Sequence, residues 1–425
     1  MSATELTIPS PAETEHALAP ISWKTPAIMS TLAALLVVFV VFAHDETKFF
    51  IGSGVSYLTI PQFTVPAVPG TLVAFAVCLL LAGYSWWTTS KRIKTGLWLP
   101  IVFGLFWVFA FLVWFGAGRV LPIRVTDLLT YALLFAVPLI FGSLAGIVCE
   151  RVGVINIAIE GDLLFGAFLA ATLASAFNNP WLGLVAGPVA GALIGCLLAL
   201  FAVKYWVDHI IVGVVLNVLV LGLTNYLYTG VIQHTPELSQ VMELPKMPIP
   251  LLSEIPVLGP VFFNGTILLY LMYAAVIALQ FMLFRSRWGL RMRACGEHPE
   301  AADTVGIKVN RTRIRNTILG GAIAGLGGAF LTVGLGLAFT KEMSSGKGYI
   351  ALAAMILGKW NPKGAVAACL VFGFALSAQQ ALGIVNNTVP PEIMRMVPYL
   401  ITIIAVAGLV GKVRPPAMEG VAYKG

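Results

Sequence analysis

The stretch TDLLTYALLFAVPLIFGSLAGIVC, residues 126–149, contains a single charged residue, Asp127. A helix needs about 20 mainly apolar residues to cross the hydrocarbon core of a bilayer. A strand of a transmembrane barrel would instead alternate apolar and polar residues over about ten positions. The continuous run therefore predicts a helix that spans a membrane.

Similar runs lie on both sides of this stretch. The 425-residue chain is 59% hydrophobic and 11% charged, whereas a soluble domain is roughly a quarter charged. The twelve candidate runs are residues 27–43, 69–87, 97–116, 126–149, 154–177, 181–203, 209–232, 266–284, 316–340, 343–360, 364–385 and 393–411. We predict an all-α, polytopic transmembrane helical bundle of about 10–12 spans in a lipid bilayer.

The basic residues indicate how the chain is oriented. With a cytoplasmic N-terminus, the cytoplasmic loops of a twelve-span chain hold 18 of the 26 Lys and Arg residues, the outer loops 5 and the spans 3. This distribution follows the positive-inside rule and puts both termini in the cytoplasm. The net charge of +7 is spread over these loops, so no separate basic domain is expected and no nucleic-acid partner.

The chain divides into four expected parts. The start of the sequence lacks a basic region followed by an apolar core, so no cleavable signal peptide is expected. The outer loop carries six prolines and is expected to be a structured, non-helical lid or a spacer. The parts are a disordered cytoplasmic tail at 1–25, N-terminal spans at 26–120, a core at 121–414 with cytoplasmic loop 285–315 and outer loop 233–265, and a cytoplasmic tail at 415–425.

The loop 285–315 has eight Lys or Arg residues and three acids. Within it, Pro299 suits a first helical position, Glu300 complements the positive end of a helix, and Gly306 can adopt the left-handed closing conformation. These signals predict a short helix at 299–305 with Ala301 and Ala302 on an exposed small face. Such a helix is too short to be stable alone, so helix ends of the same chain or a partner must hold it.

Three stretches together carry a resemblance to a known family. They are ERVGVINIAIEGDLLFGAF at 150–168, RWGLRMRACGEHPEAADTVGIKV at 287–309 and GKGYIALAAMILGKWNPKGA at 346–365. They resemble permeases of the branched-chain amino acid and simple-sugar branch of bacterial ABC importers, over about residues 126–412. Within that branch they are most similar to the second permease of nucleoside uptake systems with a basic-membrane-protein-type lipoprotein receptor.

The resemblance implies a multi-pass permease subunit in the bacterial inner membrane. It implies three partners: a second permease in a heterodimer, a cytoplasmic ABC ATPase and an extracytoplasmic substrate-binding lipoprotein. The short helix would dock on the ATPase and transmit its closure. The residues expected to serve this coupling are Gly296, Glu297, Pro299, Glu300, Ala301, Ala302 and Gly306.

The sequence independently indicates that ATP is handled by another chain. A phosphate-binding loop has the form G-x-x-x-x-G-K-[ST]. The Gly-Lys pairs at Gly346, Gly358 and Gly411 each lack both the Gly five positions earlier and the Ser or Thr that follows the Lys. The five cysteines show no metal-ligand spacing, and no nucleophile or acid–base pair stands out. We therefore expect no enzyme activity, no metal and no cofactor in this chain, with ATP and Mg used by the partner ATPase.

Polar residues in the fifth run are the first candidates for a substrate path. Asn156 and Glu160 are four residues apart and would share a face of a helix, with Asp162 beside them. Carboxylates in a bilayer turn towards the bundle interior or a wet cavity. The alternative is that the two acids pair with Arg151 or Lys204.

A break in this element is also expected. Gly153, Gly161 and Gly166 make a broken helix plausible near 153–166, and transporter sites favour such breaks because they free backbone N–H and C=O groups. Phe165 could stack on a base. Asn217 in the seventh run could bind a hydroxyl or a base edge, or could simply join helices.

The span at 320–336 is rich in glycine and alanine, which lets helices approach closely. We expect it to pack centrally, within the chain or against a second permease.

The leading function is an ATP-driven nucleoside importer subunit. A simple-sugar, ribose-like permease and a proton-coupled secondary carrier using Glu160 or Asp162 are the alternatives.

Overall fold

The computed structural model describes residues 23–51, 62–93, 96, 98–119, 121–385, 396 and 414–424. Within these residues the chain is mainly helical, with short strands in the connections. The helices are α1 Lys24–Val41, α2 Ala67–Ser90, α3 Trp98–Gly116, α4 Val125–Glu150, α5 Ile159–Ala176, α6 Pro180–Ala199, α7 His209–Gly230, α8 Leu258–Phe262, α9 Ile267–Arg285, α10 Arg287–Glu297, α11 Pro299–Thr304, α12 Val309–Ala329, α13 Lys347–Leu357 and α14 Pro362–Val385. The strands are β1 Glu46–Phe50, β2 Phe63–Pro66, β3 Ile123–Arg124, β4 Lys246–Pro248 and β5 Asn264–Thr266.

Ten helices of the described residues are long and apolar enough to cross a membrane. The predicted all-α polytopic bundle is therefore confirmed, with ten spans in the part of the chain that the structure describes. The run at 343–360 is not a complete span, because its helix α13 has only 11 residues. The run at 393–411 lies outside the described residues, apart from Met396.

The chain forms two compact units. One comprises the residues up to Thr47 together with Val65–Gly118, and the other comprises Lys48–Thr64 and Arg119–Gly425. In the first unit, α1, α2 and α3 pack around Leu36, Cys78 and Leu99. In the second, α4 is buried along most of its length and α12 lies beside it.

Helix α12 packs closely on α6 of the same chain. Gly187 and Gly191 of α6 face Gly325 and Gly321 of α12, and a Cβ placed on Gly191 would lie 2.0 Å from the carbonyl oxygen of Gly321. Only glycine permits this approach. The glycine-rich span thus packs centrally, and its partner is a helix of its own chain.

Local signals start several of these helices. Asn179 accepts a hydrogen bond from the Trp181 amide at 3.0 Å and precedes Pro180, the first residue of α6. Asn361 does the same for Lys363 at 3.0 Å, before Pro362 begins α14. Asn at the cap and Pro at the first position both suit a helix start.

The outer loop is structured but contains helix, which corrects the prediction of a non-helical lid. Strands β4 and β5 pair antiparallel, with Met247 opposite Gly265. The five-residue helix α8 and two 3₁₀ turns occupy other parts of the loop. The Leu244 amide bonds the Val333 carbonyl at 2.8 Å, so the loop is joined to the segment that follows α12.

Candidate functional site

The break predicted near 153–166 lies entirely before α5. Residues 151–158 are non-helical, and Gly153 has a φ of +92°. Gly161 and Gly166 are inside the continuous helix α5, where they permit close packing. A Cβ on Gly166 would lie 2.7 Å from the carbonyl oxygen of Gly325.

Asn156 lies in this interrupted segment, so the prediction that it shares a helix face with Glu160 is wrong. Its Nδ2 donates to Oδ2 of Asp162 at 3.3 Å and to Sγ of Cys149 at 3.7 Å. Asn156 and Asp162 are both fully buried. The Oδ1 atoms of both have no hydrogen-bond partner among the described residues, which leaves two buried acceptors.

Glu160 binds the backbone at the start of α13. Its carboxylate accepts hydrogen bonds from the amides of Gly346 at 2.8 Å and Gly348 at 2.6 Å. A carboxylate at a helix N-terminus satisfies free N–H groups and complements the helix dipole. Glu160 therefore joins the N-terminal ends of α5 and α13, and does not pair with Arg151 or Lys204.

Asn217 of α7 joins the same region. Its Oδ1 accepts from the Gly161 amide at 2.8 Å, and its Nδ2 donates to the Ile157 carbonyl at 2.9 Å. The Tyr349 hydroxyl lies 3.3 Å from Nδ2. Both the oxygen and the nitrogen of the amide are thus hydrogen-bonded within this chain. Of the two interpretations of Asn217, this arrangement corresponds to the one in which it joins helices.

Aromatic side chains lie on the side of α5 that faces α7. Phe165 is half-buried and packs against the apolar cluster that contains Phe168. Phe168 and Phe339 meet edge to face with ring centroids 5.1 Å apart, and Lys341 Nζ lies 5.7 Å from the ring centre of Tyr228. Sequence reasoning missed Phe339 and Lys341. Both follow α12, which is more than 130 residues away from α5 in the chain, so no local pattern connects them with Phe168 or Tyr228.

The loop between α9 and α12 contains two helices. Helix α11 at Pro299–Thr304 ends one residue before the predicted 299–305, and Gly306 has a φ of +83°. Helix α10, at Arg287–Glu297, was not predicted. The Ser286 Oγ accepts from the Gly289 amide at 3.2 Å at its start, a cap signal that the sequence displays.

The two alanines of α11 differ in exposure. Ala302 is 2% exposed and belongs to the main apolar core, with Pro299 also buried. The prediction that Ala302 lies on the exposed face is therefore wrong, because the short helix is held by inserting this side chain into its own protein. Glu300, Ala301 and the residues from Asp303 to Gly306 remain exposed.

Gly296 and Glu297 connect α10 with distant segments. A Cβ on Gly296 would lie 2.5 Å from the Arg151 carbonyl oxygen, so α10 abuts the start of the interrupted segment. The Glu297 Oε2 accepts from the Ala417 amide at 3.3 Å. Burial lowers the pKa of Arg151 below its usual value.

No group of three or more His, Cys, Asp or Glu residues that could hold a metal occurs in the part of the chain that the structure describes. Glu160 joins the N-terminal ends of α5 and α13, and Asn217 joins the middle of α7 to the start of α5. Glu300, Ala301 and Asp303 form the exposed part of α11, which follows α10 directly in the chain.

Comparisons with known proteins match the second unit. The permease component of the branched-chain amino acid transport system matches residues 128–406. The chain is 38% identical over 305 residues to the guanosine ABC transporter permease protein NupQ of Bacillus subtilis, covering 68% of this chain and 94% of the relative. It is 37% identical over 300 residues to the nucleoside ABC transporter permease protein NupC of Lactococcus lactis, with the same coverage.

A glucose ABC transporter permease protein, the putative TsgC13 of Haloferax volcanii, is 31% identical over 290 residues, covering 63% of this chain and 87% of the relative. No solved structure matched the chain. The ten apolar helices and the ABC permease relatives identify a multi-pass protein of the bacterial inner membrane. With the family match extending over most of its length, this chain belongs to the permease family of the branched-chain amino acid transport system.

Proposed function

We propose that this chain is the transmembrane permease subunit of an ATP-driven ABC importer that moves nucleosides into the cell. The two relatives of 37% and 38% identity are named as nucleoside or guanosine permease proteins, and the glucose permease protein is less similar at 31%. These names favour a nucleoside over a simple sugar.

The observation that supports this mechanism best is that one side of α11 is buried in the protein and the other is exposed. Ala302 and Pro299 anchor it in the core, while Glu300 and Ala301 face outward. A small, rigidly held surface of this kind suits a groove on a cytoplasmic ATPase. Gly296 and Glu297, at the end of α10, would carry the resulting movement to the interrupted segment 151–158.

The substrate would pass near the facing ends of α5 and α13. Asn156 and Asp162 each keep one oxygen without a partner, and these oxygens can accept hydrogen bonds from hydroxyl or amino groups. Both residues are fully buried, so they would meet the substrate only after α5 and α13 move apart. Phe165 would contribute an aromatic surface for the base.

The remaining subunits complete the importer. ATP and Mg would bind to a separate cytoplasmic ATPase, and this chain would hold no cofactor. A second permease would form a heterodimer with it, and an extracytoplasmic lipoprotein would deliver the substrate. These partners rest on the ABC assignment of the relatives and on the sequence resemblance.

The test is uptake by the assembled complex in proteoliposomes. Labelled guanosine uptake should continue when a protonophore collapses the proton gradient and stop when the ATPase is inactivated. Uptake that follows the proton gradient alone would show a secondary carrier. Free ribose should compete poorly, and competition equal to that of adenosine would show a sugar permease.

A further inference from the structure

The C-terminal segment 416–424 lies across the two elements that the transport mechanism must connect. The Met418 amide donates to the Gly296 carbonyl of α10 at 2.9 Å. Two residues later, the Gly420 amide donates to the Gly153 carbonyl of the interrupted segment at 3.1 Å. Gly420 has a φ of +75°, a left-handed conformation that redirects the chain directly after the second contact.

The buried side chain of Arg313 in α12 is hydrogen-bonded to the segment. It is 1% exposed, and its Nη1 donates to the Val421 carbonyl at 2.7 Å while its Nη2 donates to the Cys295 carbonyl at 3.4 Å. A buried guanidinium is costly unless its donors are paired. The C-terminal segment therefore supplies a partner that a buried cation needs.

The end of the segment reaches the coupling helix itself. The Tyr423 hydroxyl lies near the Asp303 side chain of α11. The Tyr423 carbonyl accepts from Asn310 Nδ2 of α12 at 3.5 Å. The exposed surface around α11 thus includes a residue from the far end of the chain.

A further contact joins the segment to α4. The Glu419 carboxyl lies beside that of Glu150, whose Oε2 accepts from Trp360 Nε1 at 2.5 Å. Arg151 in turn donates to the Trp360 carbonyl at 3.1 Å. Within a few residues the segment contacts α4, α10, α11, α12 and the interrupted segment.

We propose that residues 416–424 are a strap that positions α11 and the interrupted segment 151–158 as one body, so that displacement of α11 by the ATPase moves Gly153 and Asn156. This rests on the proposed function, because it specifies how the same coupling surface acts on the substrate path. The physical reason is that several hydrogen bonds on a short piece of chain must break before α10 and Gly153 can separate. Arg313, Glu419 and Tyr423 are positioning residues in this arrangement.

The first experiment removes the strap from the full complex. A chain ending at Pro416 is purified with its partners, and ATP hydrolysis and nucleoside uptake are measured together. Tyr423→Phe is the milder variant, and Tyr226→Phe is its control because Tyr226 is 73% exposed on α7. The number of ATP molecules hydrolysed per nucleoside should rise about tenfold on truncation, as expected for loss of a typical coupling interaction, and should rise in Tyr423→Phe but not in Tyr226→Phe.

The second experiment fixes the strap in place and remains informative if the truncated chain does not fold. His298→Cys and Ala417→Cys, both at exposed positions, are joined by a bismaleimide in a Cys196→Ser background, since Cys196 is the exposed native cysteine and the other four are buried. Parts that move together tolerate a link, so uptake should stay within about twofold of that of the unlinked chain.

Two results would overturn the strap. One is a truncated chain that transports with the parental ATP ratio, and the other is a linked chain that has lost uptake. A parent complex that shows no ATP-dependent nucleoside uptake would instead contradict the proposed function.

Discussion

Glu160 has a role at the residue scale that its position in the sequence did not reveal. It was a candidate for the substrate path, yet its carboxylate binds the amides of Gly346 and Gly348. Its charge complements the N-terminus of α13. Its two oxygens accept hydrogen bonds from two N–H groups at the start of the helix, where no carbonyl of the helix itself can serve as acceptor. Substitution should therefore act through the position of α13.

Glu160→Ala should lower uptake strongly and destabilise the protein, because unpaired buried donors cost about 1–3 kcal/mol. Glu160→Gln keeps one acceptor oxygen and should show an intermediate effect. Glu342→Gln is the control, since Glu342 is exposed in the neighbouring loop. Thermal unfolding in detergent and uptake are measured for all three; an unchanged Glu160→Ala protein would refute this role.

The Glu419 carboxyl predicts a pH dependence of the C-terminal segment. Burial raises its pKa above the usual value of 4.5, partly offset by the hydrogen bond with Glu150 and the positive charge of Arg151. A raised pKa in the folded state means that the docked segment favours the protonated carboxyl. Its stability is complete below pH 4.5 and is lost as the pH rises through the raised pKa.

Amide hydrogen exchange of residues 417–421, corrected for the intrinsic rate, measures this docking. Protection should decrease with rising pH in the parent and should change little in Glu419→Gln, which remains neutral. Glu297 also faces the segment, so Glu297→Gln is examined in parallel and should retain the decrease. Equal pH profiles for the parent and Glu419→Gln would contradict the prediction.

At the element scale, the two alanines of α11 now have different expected effects. Ala301 is exposed and Ala302 is 2% exposed. Ala301→Trp should leave stability within about 0.5 kcal/mol while reducing uptake and ATPase stimulation, because a bulky group at the centre of a docking contact removes much of its binding energy.

Ala302→Arg should instead destabilise the permease by several kcal/mol, since it places an unpaired cation in a packed core. Thermal unfolding and the yield of assembled complex distinguish the two variants. If both variants were equally stable, Ala302 would not anchor the helix. If Ala301→Trp coupled like the parent, the exposed face of α11 would not be the docking surface.

The α6–α12 contact gives a second prediction at this scale. Gly191→Ala should destabilise the protein by more than about 1 kcal/mol, because the added Cβ would overlap the Gly321 carbonyl and neither backbone can move independently. Gly222→Ala on α7 is the control, with no atom within 4 Å of its Cβ position. Urea or thermal unfolding should rank the two; similar stabilities would mean that the helices separate easily.

At the scale of the whole molecule, the charge distribution predicts which loops face the cytoplasm. A cysteine at Glu300 should react with a membrane-impermeant maleimide only after the cells are permeabilised, and a cysteine at Glu237 in the outer loop should react in intact cells. Both positions are exposed, and Cys196→Ser provides the background. Reversed labelling would overturn the orientation.

Much of this architecture could be predicted because membrane physics acts on local sequence. Long apolar runs must become helices, since every backbone N–H and C=O needs an internal partner in lipid. Pro299, Gly306 and the Asn-Pro pairs at 179–180 and 361–362 act over a few residues, so the positions of α11, α6 and α14 follow from them. Helix α10 was not predicted, because its apolar residues are too few to stand out beside the spans.

The sequence by itself determined the fold class, the family and the ten spans that the described residues contain. The tertiary structure alone decided which residues meet: Glu160 with Gly346 and Gly348, Asn156 with Asp162, Ala302 with the core, and Arg313 with the C-terminal segment. These pairs are separated by six to almost 190 positions in the chain. Local propensity and hydrophobic pattern act over one or two turns, whereas such contacts depend on how whole helices pack.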